Sequence, residues 1–395
     1  MTSMRVLVIP RDFPSAEEPQ AGIFVLRQVQ ALQAMGHELR VVRIVPHAPP
    51  LFAKWRAYGR VPESYSIEGV AVRTLRAIVP PRMFGIGMVR AQVSGALARE
   101  AVAFNADIAH IHCVLPTGAL AVNLGISTVL TAHGSDTYRE PWRRADLRAE
   151  ARVAVAHPSE VAAVSAFIKD AVGALGRPDA AIVYNGADER VFAPRSRSAA
   201  RAALGIDPNR RVVAYAGNLL AAKGIFDLVE ALASLDEPRP LVLIAGGGPE
   251  ASRLSARMEE ARIECRMLGR LPQPALSAVL GAADVFAFPS HAEGLPGAVC
   301  EAMLAGRAVV ATRVGGVPEI VKAGETGLLV PKNSPRELAR ALRTMMDDAS
   351  LRARFEQNSR TFALRWLTWR VNASAYDKLY QRALNANQRK LHRSA

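Results

Sequence analysis

No run of apolar residues in this sequence approaches the roughly 18 that a membrane-spanning helix needs. Cysteine is scarce: Cys113, Cys265 and Cys300 lie far apart and form no Cys-x-x-Cys, so neither a disulfide framework nor a zinc site is expected, and a reducing compartment is. Asp-x-Asp is missing, which removes the obvious carboxylate pair for a magnesium or manganese clamp on a diphosphate. Zinc-finger spacings and RNA-binding aromatic motifs are missing as well, so nucleic acid is not an expected partner. The opening MTSMRVLVIPRDFP has only a short apolar core before Arg11 and Asp12, too short for a signal peptide and better suited to a first buried strand. These absences predict a cytoplasmic protein, one that can still sit peripherally at the inner face of a membrane.

What the sequence holds is length, core and positive charge. Its 395 residues exceed one typical core, which predicts two domains, and a chain that is 50% hydrophobic and 22% charged is a soluble globular one. A formal net charge of +14 favours anionic partners such as phosphates, nucleic acid or acidic lipid. The charge is unevenly placed: Arg40 to Arg90 carries nine Arg and Lys against two Glu, and Leu351 to Ala395 carries ten against two acidic residues. Within the first stretch, PPLFAKWRAYGR interleaves Phe52, Trp55 and Tyr58 with Lys54, Arg56 and Arg60. Such a segment is either a docking surface for anionic membrane or a basic loop with its aromatics tucked into the domain.

Short apolar runs recur between helical patterns in two series. RVLVIP, LRVVRIVP, DIAHIHCV, STVLTAHG, EVAAVSA and AAIVYNGAD come first; RRVVAYAGN, RPLVLIAGGG, CRMLGR, DVFAFPS, AVVATRVGG and TGLLVP follow. Strands alternating with helices predict parallel sheets covered on both faces, so the fold class is α/β with two doubly wound Rossmann-like domains and a ligand crevice at the carboxyl ends of their strands. The polar ADERVFAPRSRSAARAALGIDPN suggests a linker near 187–210. Beyond Leu351, Trp366, Trp369, Tyr376 and Tyr380 recur at helical spacing and are expected to pack back on the body.

Several loops at predicted strand ends carry chemistry. AGGGPEA satisfies G-x-G-x-x-A, but the next strand ends in Arg270 instead of the acid a dinucleotide ribose needs, so close packing of strand on helix explains its glycines. GNLLAAKG presents Lys223 at a helix start, in the wrong order for a phosphate-loop motif yet able to meet a phosphate as a point charge. TAHGSD puts His133 and Asp136 at the lip of the crevice, and His110 and His112 share one strand face without a third metal ligand at sensible spacing. SHAEGLPGAVCEAMLAG sets Glu293 before a helix predicted from Pro296 to Ala305, with Pro in its first turn, and Glu301 in its second turn.

In this order the blocks resemble the retaining GT-B glycosyltransferases of family 4. The resemblance runs from the first strand and AGIFVLRQ through HGSD, VYNGAD, GNLLAAKG and AGGGPE to EGLPGAVCEAMLAG and GGVPEIV. PRDFPSAEEPQAGIFVLRQ and the form GNL look most like the branch that builds extracellular and cell-wall polysaccharides, including teichuronic acid. The resemblance implies an acceptor-side domain at 1–190 completed by a helix from about 370–395, a donor-side domain at 191–369, and a cleft between them. It implies a nucleotide sugar as substrate, no cofactor and no metal, and a lipid-linked or growing polysaccharide acceptor.

By the same resemblance, Glu301 holds the ribose hydroxyls and Glu293 contacts the transferred sugar. Backbone N–H groups around Leu295, Gly297 and Ala298 face sugar and diphosphate. Lys223, beside Gly217 and Asn218, neutralises the leaving diphosphate, and Asn218 stands where the family usually has Arg. His133 borders the donor sugar, Gly22 allows close approach of the diphosphate, and backbone at Arg270 and Leu271 meets the base. Other uses of the fold, a sugar-nucleotide epimerase or a glycoside phosphorylase, are alternatives, as is a basic nucleic-acid-binding protein.

Overall fold

A computed structural model describes residues 3–47, 53–79, 83 and 85–394, with side chains left out at 53–55 and 388–394. The chain divides into two compact units, Met1–Tyr184 with Trp369–Ala395, and Asn185–Thr368.

Unit one is built on an eight-stranded sheet: β1 (Arg5–Ile9), β2 (Glu38–Pro46), β3 (Ser64–Ile67), β4 (Val70–Ala77), β5 (Ile108–His112), β6 (Ser127–Ala132), β7 (Glu160–Ala163) and β8 (Ala181–Ile182). Their order is β3-β4-β2-β1-β5-β6-β7-β8. β1 aligns Val6 with Leu39 on one side and with Ile108 on the other, and β5 and β6 are buried along their whole length. Burial on both faces is why these strands read as mostly apolar runs, with His110, His112 and Thr131 among the exceptions.

The antiparallel β3–β4 hairpin was not among the expected strands. Its turn residues Glu68 and Gly69 both have positive φ, 45° and 82°, the conformation that suits a tight hairpin. β4 alternates instead of running apolar, with Val70, Val72 and Thr74 buried and Ala71 and Arg73 exposed, the signature of a strand with one wet face.

The helix Trp369–Ser394 completes this unit, packing Ala373, Tyr376, Leu379 and Tyr380 with Val25, Leu26 and Val29 of the helix Ile23–Ala34. The Tyr380 hydroxyl lies 2.7 Å from His110 Nδ1, His110 Nε2 lies 2.8 Å from Thr131 Oγ1, and Thr131 Oγ1 lies 2.7 Å from the Tyr376 hydroxyl. Gln28 donates to Asn372 Oδ1 at 2.8 Å, and Asn372 donates to the Tyr184 carbonyl at 2.7 Å. Trp366 departs from the expected packing: it is 43% exposed at the end of a separate helix, Ala349–Trp366, with Arg365 over its ring.

Unit two carries a parallel sheet of β9 (Val212–Ala216), β10 (Leu241–Ala245), β11 (Cys265–Gly269), β12 (Val285–Phe288), β13 (Ala308–Thr312) and β14 (Gly327–Val330), in the order β11-β10-β9-β12-β13-β14. The segment expected as a linker is packed instead. Ala187 bridges to Thr368, Phe192 is fully buried, and a helix at Arg197–Ala203 starts on a Ser196 side-chain cap. Arg201 pairs with Asp284 at 2.7 Å and Arg197 with Asp284 and Glu356. Part of the polar composition that suggested a linker is thus spent on an ion-pair network whose centre, Arg201 with Asp284, is buried.

Tyr380→Phe removes one partner of a buried imidazole nitrogen and is expected to cost about 1–3 kcal/mol. A urea titration checks it: the midpoint falls while the slope stays that of the wild type.

Candidate functional site

The loops after the strands of unit two stack backbone on backbone, and glycine makes the stacking possible. After β9, Gly217 N–H donates to Ala245 O at 3.0 Å and Leu219 N–H to Gly247 O at 3.0 Å. A Cβ on Gly246 would lie 1.8 Å from Gly217 O, and one on Gly248 would lie 2.3 Å from Leu219 O. The glycines of AGGGPEA therefore seat loop on loop, not strand on helix as expected. The same loop continues into a short 3-10 turn, Ala221–Lys223, that ends at Gly224 (φ 65°). A Cβ there would come within 1.9 Å of Pro289 O, in the loop after β12.

That contact brings two expected residues together: Lys223 Nζ is 2.6 Å from Glu293 Oε1. The Glu293 loop is backed in turn by the loop after β13. Gly315 (φ 48°) would place a Cβ 1.8 Å from Glu293 O, Gly316 N–H donates to Gly294 O at 3.1 Å, and Thr312 Oγ1 donates to Ser290 O. Tyr215, fully buried, donates to Asn218 O at 3.1 Å, and burial together with the Glu293 charge pushes its phenol above the usual range.

The sequence reading passed over His291. Its N–H donates to Ala222 O at 3.0 Å and its Nε2 lies 2.9 Å from Asp227 Oδ2, so it clamps the turn that carries Lys223. A His two residues before Glu293 was the available signal.

The helix after Glu293 runs Gly297–Leu304, with Pro296 at the cap position and not in the first turn. Leu295 is buried, Gly297 is exposed, and a Cβ on Gly297 would meet nothing within 4 Å. N–H groups in a first helical turn have no partner within the helix, so those of Gly297 and Ala298 form a positive helix end open on one side. Glu301, one turn on, keeps part of its surface accessible, but its carboxyl sits deep among protein atoms. Desolvation pushes its pKa up to about 7, opposed only by a long 3.4 Å bond from Gln273 Nε2. Gln273, on the helix Gln273–Ala282, was also missed by sequence reasoning. Arg270 is exposed, its side chain laid across Gly247, and Leu271 is partly buried.

In unit one, Gly22 (φ 63°) starts the helix Ile23–Ala34, and a Cβ on it would lie 2.0 Å from Asp12 O. Its missing side chain thus serves the protein's own backbone. His133 Nε2 lies 2.9 Å from His112 Nδ1, and His133 Nδ1 is buried with no partner among the described residues. Burial holds His133 at about 3 and His112 well below its usual range, so both rings are neutral. Asp136, expected at the crevice lip, is buried: it accepts from the N–H groups of Gly134 at 2.6 Å and Val114 at 2.7 Å. Its role is to hold the loop.

Much of the basic charge between 40 and 90 is engaged internally. Arg43 is buried against Glu18 at 3.1 Å, while Arg60, Arg73 and Arg90 pair with Glu17, Glu100 and Glu150. Arg76 donates to the carbonyls of Tyr58, Gly59 and Val61. Phe52 and the side chains of Lys54 and Trp55 lie outside the described residues, and Arg56 is exposed. Among the described residues no helix is long and apolar enough to cross a membrane.

Two Rossmann-like α/β units, with charged side chains gathered at the strand ends of the second, define a GT-B glycosyltransferase. The model for Glycosyltransferase Family 4 matches residues 21–191 and that for Glycosyl transferases group 1 matches residues 196–362. TuaC of Bacillus subtilis, a glycosyltransferase named for teichuronic acid biosynthesis, is 31% identical over 352 residues, 86% of this chain and 88% of its own. The chain belongs to this glycosyltransferase family. Its fold matches that of sucrose-phosphate synthase from Thermosynechococcus elongatus (TM-score 0.76, 20% identity, 97% of this chain and 100% of that one). It also matches the Anabaena protein HepE in complex with UDP (TM-score 0.75, 20% identity, 96% and 100%).

The raised pKa of Glu301 has a consequence for stability. An unfolded Glu ionises near its ordinary 4.5 and the folded one near 7, so the native state binds the extra proton between those values and stability falls as pH rises through them. Glu301→Gln cannot ionise. It is expected to melt a few degrees above the wild type at pH 8.5 and level with it at pH 4.5, measured by differential scanning calorimetry.

Proposed function

We propose that this glycosyltransferase moves a sugar, with retention at the transferred carbon, from a nucleotide-diphosphate donor to a lipid-linked or growing polysaccharide acceptor. The observation that carries the reading is the Lys223 ammonium held 2.6 Å from the Glu293 carboxylate, in the unit that also holds the open first turn of Gly297–Leu304 and the desolvated Glu301. A UDP complex of one structural neighbour and a UDP-glucose complex of the same protein support a nucleotide-sugar donor, and the name of TuaC supports a polysaccharide product.

In this reading the diphosphate lies at the helix start and takes Lys223 over from Glu293. The bond from the sugar carbon to the diphosphate oxygen breaks as the acceptor oxygen bonds to that carbon on the same face, charge grows on the leaving group, and the acceptor's hydroxyl proton passes to the departing diphosphate oxygen. Lys223 and the amides at Leu295, Gly297 and Ala298 are aimed at that charge, while Asn218 contributes none. Glu301 accepts from the ribose hydroxyls, and Glu293, released from Lys223, accepts from hydroxyls of the transferred sugar. Backbone at Arg270 and Leu271 meets the base, and Gly217 keeps the loop close. From unit one, Gly22, whose missing side chain also leaves room for Asp12 O, lets the diphosphate approach, and His133 meets the sugar only after its ring turns, since Nε2 faces His112 and Nδ1 is buried. The reading needs no metal and no cofactor.

Lys223→Ala is expected to lower turnover by about 10² to 10³ with a smaller loss in donor affinity, because the diphosphate gains charge in the transition state. Steady-state kinetics with a UDP-, GDP- and ADP-sugar panel checks it; unchanged turnover removes Lys223 from the reaction. Nuclear magnetic resonance of the product reads the stereochemistry, and a new linkage of opposite anomeric configuration to the donor overturns retention.

The same proposal puts unit one peripherally on an anionic, cytoplasmic membrane face, using the helix Ala53–Arg60. Each Lys or Arg near such a surface contributes about 1 kcal/mol. Lys54→Glu with Arg56→Glu should abolish sedimentation with acidic liposomes at low salt; equal binding of the double variant and the wild type makes the segment an ordinary basic loop.

A further inference from the structure

The loop between β1 and the helix Ile23–Ala34 has little of its own to hold it. Phe13, Pro14 and Ser15 are buried, but Ala16, Glu17, Pro19 and Gln20 are exposed, and a stretch of that composition buries too little apolar surface to fix its backbone. What fixes it comes from neighbouring elements. Arg43 of β2 donates from Nη2 to Glu18 Oε2 at 3.1 Å, and the Tyr65 hydroxyl of β3 donates to Pro14 O at 2.9 Å. A third tie, Arg60 Nη1 to Glu17 at 3.3 Å, is made by an arginine that is itself exposed, so water competes for it.

Arg43 and Glu18 are unequal partners. The Arg43 side chain is 3% exposed and that of Glu18 35%. Arg43 Nη1 is buried with no partner, and Glu18 is the sole carboxylate within ion-pair distance of the guanidinium, both among the described residues. A guanidinium cannot shed its proton, so a buried one needs an anion. Any displacement of Glu18 away from β2 would leave a bare cation in the interior. Apolar residues of similar size could hold a loop without burying a charge at all, so stability alone does not account for the pair. What a directional bond adds is a fixed distance.

The hold on Glu18 reaches Gly22 through the backbone. Glu18 N–H donates to Ser15 O at 3.2 Å, Ser15 N–H donates to Glu18 O at 3.3 Å, and Ala21 N–H donates to Glu18 O at 3.1 Å. Gly22 comes next in the chain, and its carbonyl accepts from Val25 N–H at 2.9 Å as the helix begins. With φ 63° and Asp12 O only 2.0 Å from where a Cβ would stand, Gly22 has no freedom to shift by itself. The turn therefore moves as a block, and Arg43 is its buried charged anchor.

We propose that Arg43 is a positioning residue for the donor diphosphate: acting through Glu18, it fixes the turn that presents Gly22. The inference rests on the reading above in which Gly22 lets the diphosphate approach. Arg43 has its guanidinium committed to Glu18 and acts without touching the donor. The β3–β4 hairpin serves the same turn, since it carries Tyr65 to Pro14.

Calorimetry on the full chain compares UDP, GDP and ADP with uridine, guanosine and adenosine; the tightest diphosphate and its nucleoside are then titrated into Arg43→Met and Glu18→Gln. Each variant is expected to lower the ratio of diphosphate to nucleoside affinity roughly tenfold, with the nucleoside bound as by the wild type. A merely structural role would lower the melting temperature and leave that ratio unchanged, and this result overturns the inference. So does a lowered ratio in Arg43→Met beside a wild-type ratio in Glu18→Gln, because the route runs through Glu18. Glu18→Gln alters a side chain on the protein surface, so it carries the test alone if Arg43→Met does not fold. A wild type that binds none of the three diphosphates overturns the donor reading and this inference with it, whereas one that binds a diphosphate, with folded variants of unchanged ratio, overturns this inference alone.

Discussion

Carbonyl oxygens less than 2 Å from where a Cβ would stand recur around the strand ends of unit two: Gly217 O at Gly246, Pro289 O at Gly224 and Glu293 O at Gly315. Each requires glycine, and each fastens one strand-end loop to the next. The chain of contacts runs from β11 to β14 through backbone alone, since Gly246 N–H also donates to Gly269 O at 2.7 Å and Arg313 N–H to Val330 O at 2.8 Å. Side chains carried by these loops inherit their positions from that rigid seam. Lys223 reaches Glu293 because Gly224 permits the turn beneath it to touch Pro289.

Electrostatics then follow from placement. Glu293 is buried and accepts a charge-assisted bond from Lys223, so a buried charge has a partner before any ligand arrives. Among the described residues the Glu301 carboxyl has only the 3.4 Å contact from Gln273, and desolvation keeps its proton on to about pH 7. Two carboxylates eight positions apart thus occupy different states: one is neutralised by an ammonium, the other by a proton. Burying an acid without a cation is unfavourable for the fold, and strain of that kind gathers where ligands bind.

Unit one shows the opposite arrangement. Several of its polar groups are turned inward and paired, with His110 shared between Tyr380 and Thr131 and Asp136 spent on loop amides, while His112 Nε2 and His133 Nδ1 are buried without a partner among the described residues. Four of its arginines, Arg43, Arg60, Arg73 and Arg90, are paired with Glu18, Glu17, Glu100 and Glu150. At its strand ends Arg11, Asp12, Tyr58 and Thr117 stand beside aliphatic residues such as Ile44 and Val89. Unit two offers charge at the equivalent ends, so the two units differ in the chemistry they present although both are parallel α/β sheets.

The sequence by itself determined most of the architecture. Twelve apolar runs were expected as strands, and all twelve are; the central ones, such as β9, β10 and β13, are buried along their length and so must be apolar. The order of AGGGPE, EGLPG and GGVPEI was enough to expect the family, and periodic aromatics placed Tyr376 and Tyr380 in a packing helix. Tertiary structure alone decided the rest. The β3–β4 hairpin shows its alternation as burial only in the folded chain, Trp366 stands exposed where Trp369, Tyr376 and Tyr380 are buried, and Arg197 and Arg201 join an ion-pair network where composition suggested a linker. Nor could spacing reveal that Lys223 meets Glu293, that Gln273 is the neighbour of Glu301, or that His133 turns its nitrogens towards His112 and the interior. Periodicity records which face of an element is buried, but a contact between loops 70 residues apart depends on how closely their backbones stack, and only the folded chain fixes that distance.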